Sequence, residues 1–339
     1  MHKKILITGG TGFIGSHTCV SLVKAGYVPI ILDNLCNSDQ SVIDRLQKIT
    51  GVRPEFIEGD IRDRVLLDDI FSRHDIKAAI HFAGLKAVGE SVARPIAYYE
   101  NNVWGTVNLL KAMARANVKT FVFSSSATVY GEPSSVPIRE DFPRSAFNPY
   151  GRSKLMVEDI LEDLHHAEPG WNIARLRYFN PVGAHESGLI GENPKGIPNN
   201  LMPYIAQVAA GQREHLNVFG GDYPTIDGTG IRDYIHVMDL AEGHIAALDY
   251  LISQGGLLSV NLGTGNGISV LQMVKAFEKA SGRDIPYRIV DRRAGDIAAC
   301  WADPSLAQLK MGWKAARSLD EMCGDAWRWQ SNSLADSGS

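Results

Sequence analysis

An apolar run, Lys4-Ile5-Leu6-Ile7-Thr8, leads straight into Gly9-Gly10-Thr11-Gly12-Phe13-Ile14-Gly15, and this join constrains the fold more than any other stretch of the chain. The run reads as a buried strand. Gly9, Gly12 and Gly15 recur at intervals of three, which lets the backbone turn tightly, approach phosphate oxygens and pack the following helix on the strand. That helix then presents free N–H groups to a pyrophosphate. A tight strand–helix turn that holds no ligand would use the same glycines. Asp33 favours the ligand. It ends a second strand, Ile30-Ile31-Leu32-Asp33, 18 residues after Gly15, where a carboxylate can accept hydrogen bonds from adenosine ribose hydroxyls and would repel a 2′-phosphate. That selects NAD over NADP. Asp60, at the end of Phe56-Ile57-Glu58-Gly59-Asp60, reads either as a contact to the adenine edge or as a helix cap ahead of Arg62.

The first half continues to alternate apolar runs with helical patterns. Ala78–Gly84, Thr120–Ser126 and Ile173–Tyr178 read as further strands, and Cys19, Leu22 and Val23 share one face of a helix that Gly26 ends. Pro29 sits just ahead of the second strand. This alternation predicts an α/β fold, a Rossmann-type doubly wound parallel sheet with ligands beyond the carboxyl ends of its strands. After Asn180 proline and glycine become frequent, and helical periodicity is clear only around Leu201–Ala210. The expected organisation is an NAD-binding domain over residues 1–180, rejoined by 234–265. A smaller loop-rich substrate lobe is expected over 181–233 and 266–330, and a polar, flexible tail over 331–339.

Composition excludes several classes. A net charge of −4 over 339 residues gives no electrostatic reason to bind nucleic acid or anionic lipid. The apolar stretch after Met1-His2-Lys3-Lys4 is too short for a secretory signal core, and no run approaches a membrane span. Cys19, Cys36, Cys300 and Cys323 form no CxxC motif. A reduced, cytoplasmic protein without a metal site is expected.

Tyr150-Gly151-Arg152-Ser153-Lys154 is the second informative pattern. A free tyrosine is only ~0.1% phenolate at pH 7, so a tyrosine base must be made more acidic. Lys154 lies at i+4 on the same helical face, where its ammonium can approach the phenol. Ser126, at the end of a serine-rich strand, can hydrogen-bond a substrate hydroxyl and line up its proton. Tyrosine and lysine one turn apart are common on helices. Downstream of a dinucleotide loop, the catalytic reading dominates.

Tyr-x-x-x-Lys after Gly-x-x-Gly-x-x-Gly resembles the extended short-chain dehydrogenase/reductase family. The runs Leu32–Ser38, His81–Ser91, Ser124–Gly131, Arg177–His185, Pro198–Tyr204 and Gly230–Val237 resemble its nucleotide-sugar 4-epimerase branch. Departures are small: Phe13 where a tyrosine is usual, Trp104 where a smaller polar residue is common, and Cys300 where many members carry tyrosine. The resemblance implies that Ser126, Tyr150 and Lys154 are catalytic and line the NAD site. It implies further NAD contacts from Gly9, Gly12, Phe13, Ile14, Gly15, Asp33, Asn34, Leu35, Cys36, Asn37, Ser38, Asp60, Ile61, Phe82, Ala83, Gly84, Leu85, Lys86, Asn101 and Phe179. Asn180, Asn199, Asn200, Leu201, Val218, Phe219, Arg232, Tyr234, Arg293 and Asp296 are implied to hold a UDP-sugar, with Cys300 beside the hexose.

The implied activity is C4 epimerisation of UDP-galactose and UDP-glucose through a 4-keto sugar, with NAD regenerated each cycle and two chains paired as a homodimer. The small Cys300 extends the expectation to the N-acetylated pair, UDP-GlcNAc and UDP-GalNAc. Val157, Ile160, Leu161 and Leu164 form a stripe that reads as core or as dimer seam. Two rivals remain. A nucleotide-sugar dehydratase of this fold needs an acid–base pair after the strand serine, where this chain has Ala127 and Thr128. A non-catalytic NAD-binding regulator would have no need of Ser126, Tyr150 and Lys154.

Overall fold

The computed structural model describes residues 3–293 and 295–337. Seven strands form one sheet: β1 (Lys4–Thr8), β2 (Val28–Asp33), β3 (Glu55–Glu58), β4 (Ile76–His81), β5 (Thr120–Ser126), β6 (Asn172–Tyr178) and β7 (Leu257–Leu262). Their order is β7-β6-β5-β4-β1-β2-β3, and every neighbouring pair is parallel. The strand order reverses between β1 and β4. In an open α/β sheet, that switch point leaves a crevice at the carboxyl ends of the strands.

Helices cover both faces. The longer ones are α1 (Phe13–Lys24), α2 (Ser41–Thr50), α3 (Arg64–Arg73), α4 (Gly105–Arg115), α5 (Pro149–Ala167), α6 (Leu201–Ala209), α7 (Val237–Ser253), α8 (Val270–Ser281) and α9 (Leu319–Ser337). Successive strand side chains alternate between the two layers. Ile5, Ile7, Ile80 and Val122 meet Leu22 of α1, Leu46 of α2 and Leu248 of α7. Leu6, Ala79, Phe121 and Phe123 meet Ile70 of α3, Met113 of α4 and Leu161 of α5. Val157 belongs to this second cluster, and Ile160 and Leu164 lie against it, so the α5 stripe faces the core. A third cluster joins α6, α8 and α9 through Ile205, Phe277 and Met322. No helix among the described residues is long and apolar enough to cross a membrane.

Three boundaries differ from the sequence expectation. The fourth strand stops at His81 instead of Gly84, because the N–H groups of Phe82 and Ala83 both turn to the Thr8 carbonyl at 2.9 and 3.0 Å. Pro29 lies inside β2, opposite Ile5, but β3 joins only from Ile30, so its missing donor is not needed on that side. Residues 331–337, read as a loose tail from their polarity, continue α9. Residues 338–339 lie outside the described part.

A buried ionic network fixes α5 to the sheet. Glu158 has a side-chain exposure of 0%. It accepts from Arg177 Nε at 2.9 Å and Nη2 at 2.7 Å, from Ser125 Oγ at 2.6 Å and from Arg144 at 3.2 Å. Burial pushes the Glu158 carboxyl up, but the hydrogen bonds and charge of Arg177 hold it below its ordinary value. Arg177 also donates to Tyr130 Oη at 2.9 Å, and that hydroxyl donates to Asn261 of β7 at 2.7 Å. Removing one partner of such a pair leaves an uncompensated buried charge. Arg177→Ala should therefore cost about 3–5 kcal/mol of stability, seen as a lower urea-unfolding midpoint; an unchanged midpoint would refute this role.

Candidate active site

The loop after β1 is built for close approach of a ligand. Gly9 has φ +72°, and a Cβ there would lie 2.7 Å from Ala83 N. A Cβ on Gly15 would lie 2.2 Å from the Gly9 carbonyl oxygen. Gly12 caps α1 in an extended conformation and no side chain bonds to this end of the helix. The first-turn N–H groups, which have no partners within a helix, therefore point into the crevice. Phe13 and Ile14 are the first residues of that turn.

Asp33 is held in place. Its carboxylate accepts from Thr11 N at 3.1 Å, Leu35 N at 2.9 Å and Ser38 Oγ at 3.1 Å. Leu35 takes a left-handed φ of 56°, which turns Asn34, Cys36 and Asn37 outward, where they are exposed. Asp60 accepts from Asn34 at 3.0 Å and from both the backbone and the guanidinium of Arg62, whose hydrogen bonds hold its pKa at about 2. Of the two readings of Asp60, the helix cap does not hold: the cap of α3 is Asp63, which accepts from Leu66 N. Ile61 is buried in the second core cluster.

Beyond β4, the loop Phe82–Lys86 lies beside a π-helical turn, Tyr99–Trp104. Asn102 on that turn is buried and uses its whole amide. It accepts from Leu85 N at 2.8 Å and from Asn101 Nδ2 at 2.9 Å, and it donates to Leu85 O and Ser153 Oγ, both at 3.0 Å. Ser153 Oγ donates in turn to the Tyr150 carbonyl at 2.7 Å. The β4 loop and the first turn of α5 are thereby tied together.

Tyr150, Lys154 and Ser126 converge at the carboxyl end of β5. Asn148 caps α5 by accepting from Gly151 N at 2.8 Å. Burial pushes the Tyr150 phenol up, opposed by its hydrogen bond with Ser126 and by the Lys86 cation. Lys154 is also buried. Its ammonium donates to the Ser124 carbonyl at 2.7 Å and sits 4.9 Å from the Phe123 ring centre. Burial lowers it to about 8, against the pull of Glu158. Phe179 is buried in a cluster with Val129 and Tyr130, with Ala127 and Cys300 packed on it.

The expected UDP-sugar residues divide between surface and core. Arg232 lies 3.9 Å from Asp296, and Arg293 donates to the same carboxylate at 3.0 Å. Arg293 lies 4.7 Å over the exposed Phe219 ring. Cys300 pairs with Arg232 in a short strand, and burial raises its thiol to about 11. Asn180 and Asn199 are exposed, as is Asn200 at the head of α6. Val218 and Tyr234 are buried in the third cluster, and Leu201 packs on it; the Tyr234 phenol also feels the charges of Arg232 and Arg293.

Residues 6–326 match the family model described as GDP-mannose 4,6 dehydratase. A UDP-glucose 4-epimerase of Bacillus subtilis is 60% identical over 330 residues, 97% of each chain. The chain belongs to the UDP-glucose 4-epimerase family. Among solved structures of this epimerase family, that from Stenotrophomonas maltophila, with bound NAD and formylated UDP-arabinopyranose, matches with a TM-score of 0.97 at 52% identity, covering 99% of this chain and 100% of that one. The Bifidobacterium longum UDP-glucose 4-epimerase, in complex with NAD+ and UDP, matches with a TM-score of 0.95 at 53% identity, covering 98% and 99%.

Sequence reading of this epimerase chain missed the residues that hold the site together. Glu158 lies one turn beyond Lys154, on the buried face of α5, and Arg175 and Arg177 alternate with apolar residues in β6. Charge on an otherwise buried stripe was the available signal. Asn102 gave none, because only the π-helical turn directs it inward.

Proposed function

We propose that this protein is an NAD-dependent isomerase that interconverts UDP-galactose and UDP-glucose by inversion at C4. The observation that carries the reading is that Tyr150 meets Ser126 while Lys154, one turn on, reaches Ser124 of the same strand end, all three buried, alongside a glycine cradle that has no room for side chains. The cradle, the uncapped end of α1 and the fixed Asp33 carboxylate suit NAD: N–H groups for pyrophosphate and a carboxylate for ribose hydroxyls. Bound NAD supplies a hydride acceptor that becomes the donor on return. Tyr150 Oη takes the proton of the sugar 4-hydroxyl and later gives it back, while Ser126 Oγ orients that hydroxyl. Lys154 favours the phenolate. Arg232 and Arg293 hold the diphosphate. With the hexose gripped less firmly, the 4-keto sugar can turn and present its opposite face.

Elimination is disfavoured, although the matching family model takes its description from a dehydratase. Ala127 has no ionisable group, and the Thr128 hydroxyl donates to Ser126 Oγ at 3.0 Å. Neither can serve as the acid–base pair. We also propose a homodimer and a cytoplasmic setting. Val92, Ile96, Trp104 and Met156 are exposed apolar residues on helices 88–104 and α5 that suit a second copy. The four cysteines are free, which suits a reducing compartment.

Purified protein given UDP-galactose and no cofactor should form UDP-glucose. Tyr150→Phe should still bind NAD and UDP-sugar but lose most of kcat. Wild-type kcat should fall on the acid side as the phenol stays protonated. Lys154→Ala should be slower, with that limb moved to higher pH, since removing a cation makes the phenol less acidic. Near-normal turnover by Tyr150→Phe would assign proton transfer elsewhere.

Substrate breadth turns on Cys300. Trp104, which could otherwise fill the hexose side, is exposed with the Lys111 ammonium 5.1 Å from its ring centre, which supports an open pocket. A cysteine in place of tyrosine leaves room for an acetamido group. Wild type should therefore interconvert UDP-GlcNAc and UDP-GalNAc, and Cys300→Tyr should lose that activity while keeping the non-acetylated one. Wild-type inactivity on the acetylated pair would refute the wider pocket.

A further inference from the structure

Between the short strand Asn180–Val182 and α6 the chain runs as an irregular segment, and two of its side chains reach the loops that flank the glycine cradle. Lys195 Nζ donates to the carbonyl oxygens of Leu35 at 3.0 Å and Cys36 at 3.4 Å, just beyond β2. Glu192 Oε1 accepts from Lys86 Nζ at 3.0 Å, beyond β4. In the sheet order β4-β1-β2, a segment that touches the loops after β2 and β4 must cross the loop after β1. The lengths agree. Two strand spacings are about 9.6 Å, and the three-residue step from Glu192 to Lys195 spans about 10 Å when extended.

The segment is anchored from behind. Trp329 Nε1 of α9 donates to the Glu192 carbonyl at 3.2 Å, and a Cβ on Gly191 would come within 2.4 Å of the Trp329 ring. Asn332 and Arg328 of the same helix donate to the carbonyls of Gly188 and Glu186 at 3.2 and 2.8 Å. The rear is therefore fixed by α9. The front is closed by Lys195, an exposed residue that the reaction itself does not use.

We infer that residues 191–196 are a strap across the pyrophosphate cradle, and that Lys195 closes it to retain the dinucleotide between turnovers. The inference rests on the epimerase reading, in which NAD ends each cycle in its starting form and is best kept bound. Glu192 Oε1 also accepts from Asn200 Nδ2 at 2.7 Å, so the strap continues to the head of α6 on the UDP-sugar side.

The test is exchange of enzyme-bound NAD for labelled NAD in the holoenzyme, followed by gel filtration over time. Lys195→Ala should exchange about three- to tenfold faster than wild type, the range set by the net worth of one solvent-exposed hydrogen bond. Its kcat and KM for UDP-galactose at saturating NAD, and its melting temperature, should be unchanged. Lys195→Arg, which can donate to the same carbonyls, should exchange at close to the wild-type rate. An alanine variant that exchanges like wild type overturns the strap, as does an arginine variant as leaky as alanine. A wild type that holds no NAD overturns the epimerase reading itself, and the strap with it.

Discussion

The arrangement of this site depends on a carboxylate sealed away from water. Glu158 is buried against Arg177, and such a pair is tolerated only when geometry is good and the remaining lone pairs are satisfied. Ser125 and Arg144 complete that requirement. The consequence is positional. The pair clamps α5 to the carboxyl ends of β5 and β6, and three consecutive serines then take three tasks. The Ser124 carbonyl accepts from Lys154, Ser125 holds Glu158, and Ser126 meets the Tyr150 phenol. A rotation of α5 by one residue would break all three.

Burial shapes the chemistry as well as the packing. It raises Tyr150 and lowers Lys154, favouring the uncharged form of each. A phenolate therefore depends on positive charge brought close to it. Lys86 contributes from the β4 loop, whose course is set by the Asn102 amide. Arg232 and Arg293, which we propose hold the diphosphate, lie elsewhere and share Asp296. Ser126, Tyr150 and Lys154 are buried whereas Arg293 is exposed, a contrast that suits a mechanism that turns the sugar but keeps its handle.

Much of this was legible in the sequence because local rules and function coincide there. Glycines at 9, 12 and 15, Asp33 at a strand end and Tyr150 with Lys154 are short-range patterns with direct physical meaning. Strands β1 and β5 match their apolar runs residue for residue. Long-range requirements were not legible. The partnership of Glu158 with Arg177 joins a helix to a strand, and the link from Lys195 to Leu35 joins segments 160 residues apart. Val218 and Tyr234 are a further case. The resemblance brought them into the substrate set, and their burial in a core that only the third helical layer creates was not readable from their local sequence. The C-terminal polar stretch misled for another reason: residues 331–337 prolong α9, whose earlier turns pack against α6 and α8.

The central claim is that hydride leaves and returns to the same sugar carbon within one protein molecule. UDP-galactose carrying deuterium at C4, incubated with the purified protein in ordinary water and without added cofactor, tests it most directly. The account predicts UDP-glucose that keeps its deuterium at C4. Loss of the label to solvent would show that C4 is inverted by proton removal, and would contradict it.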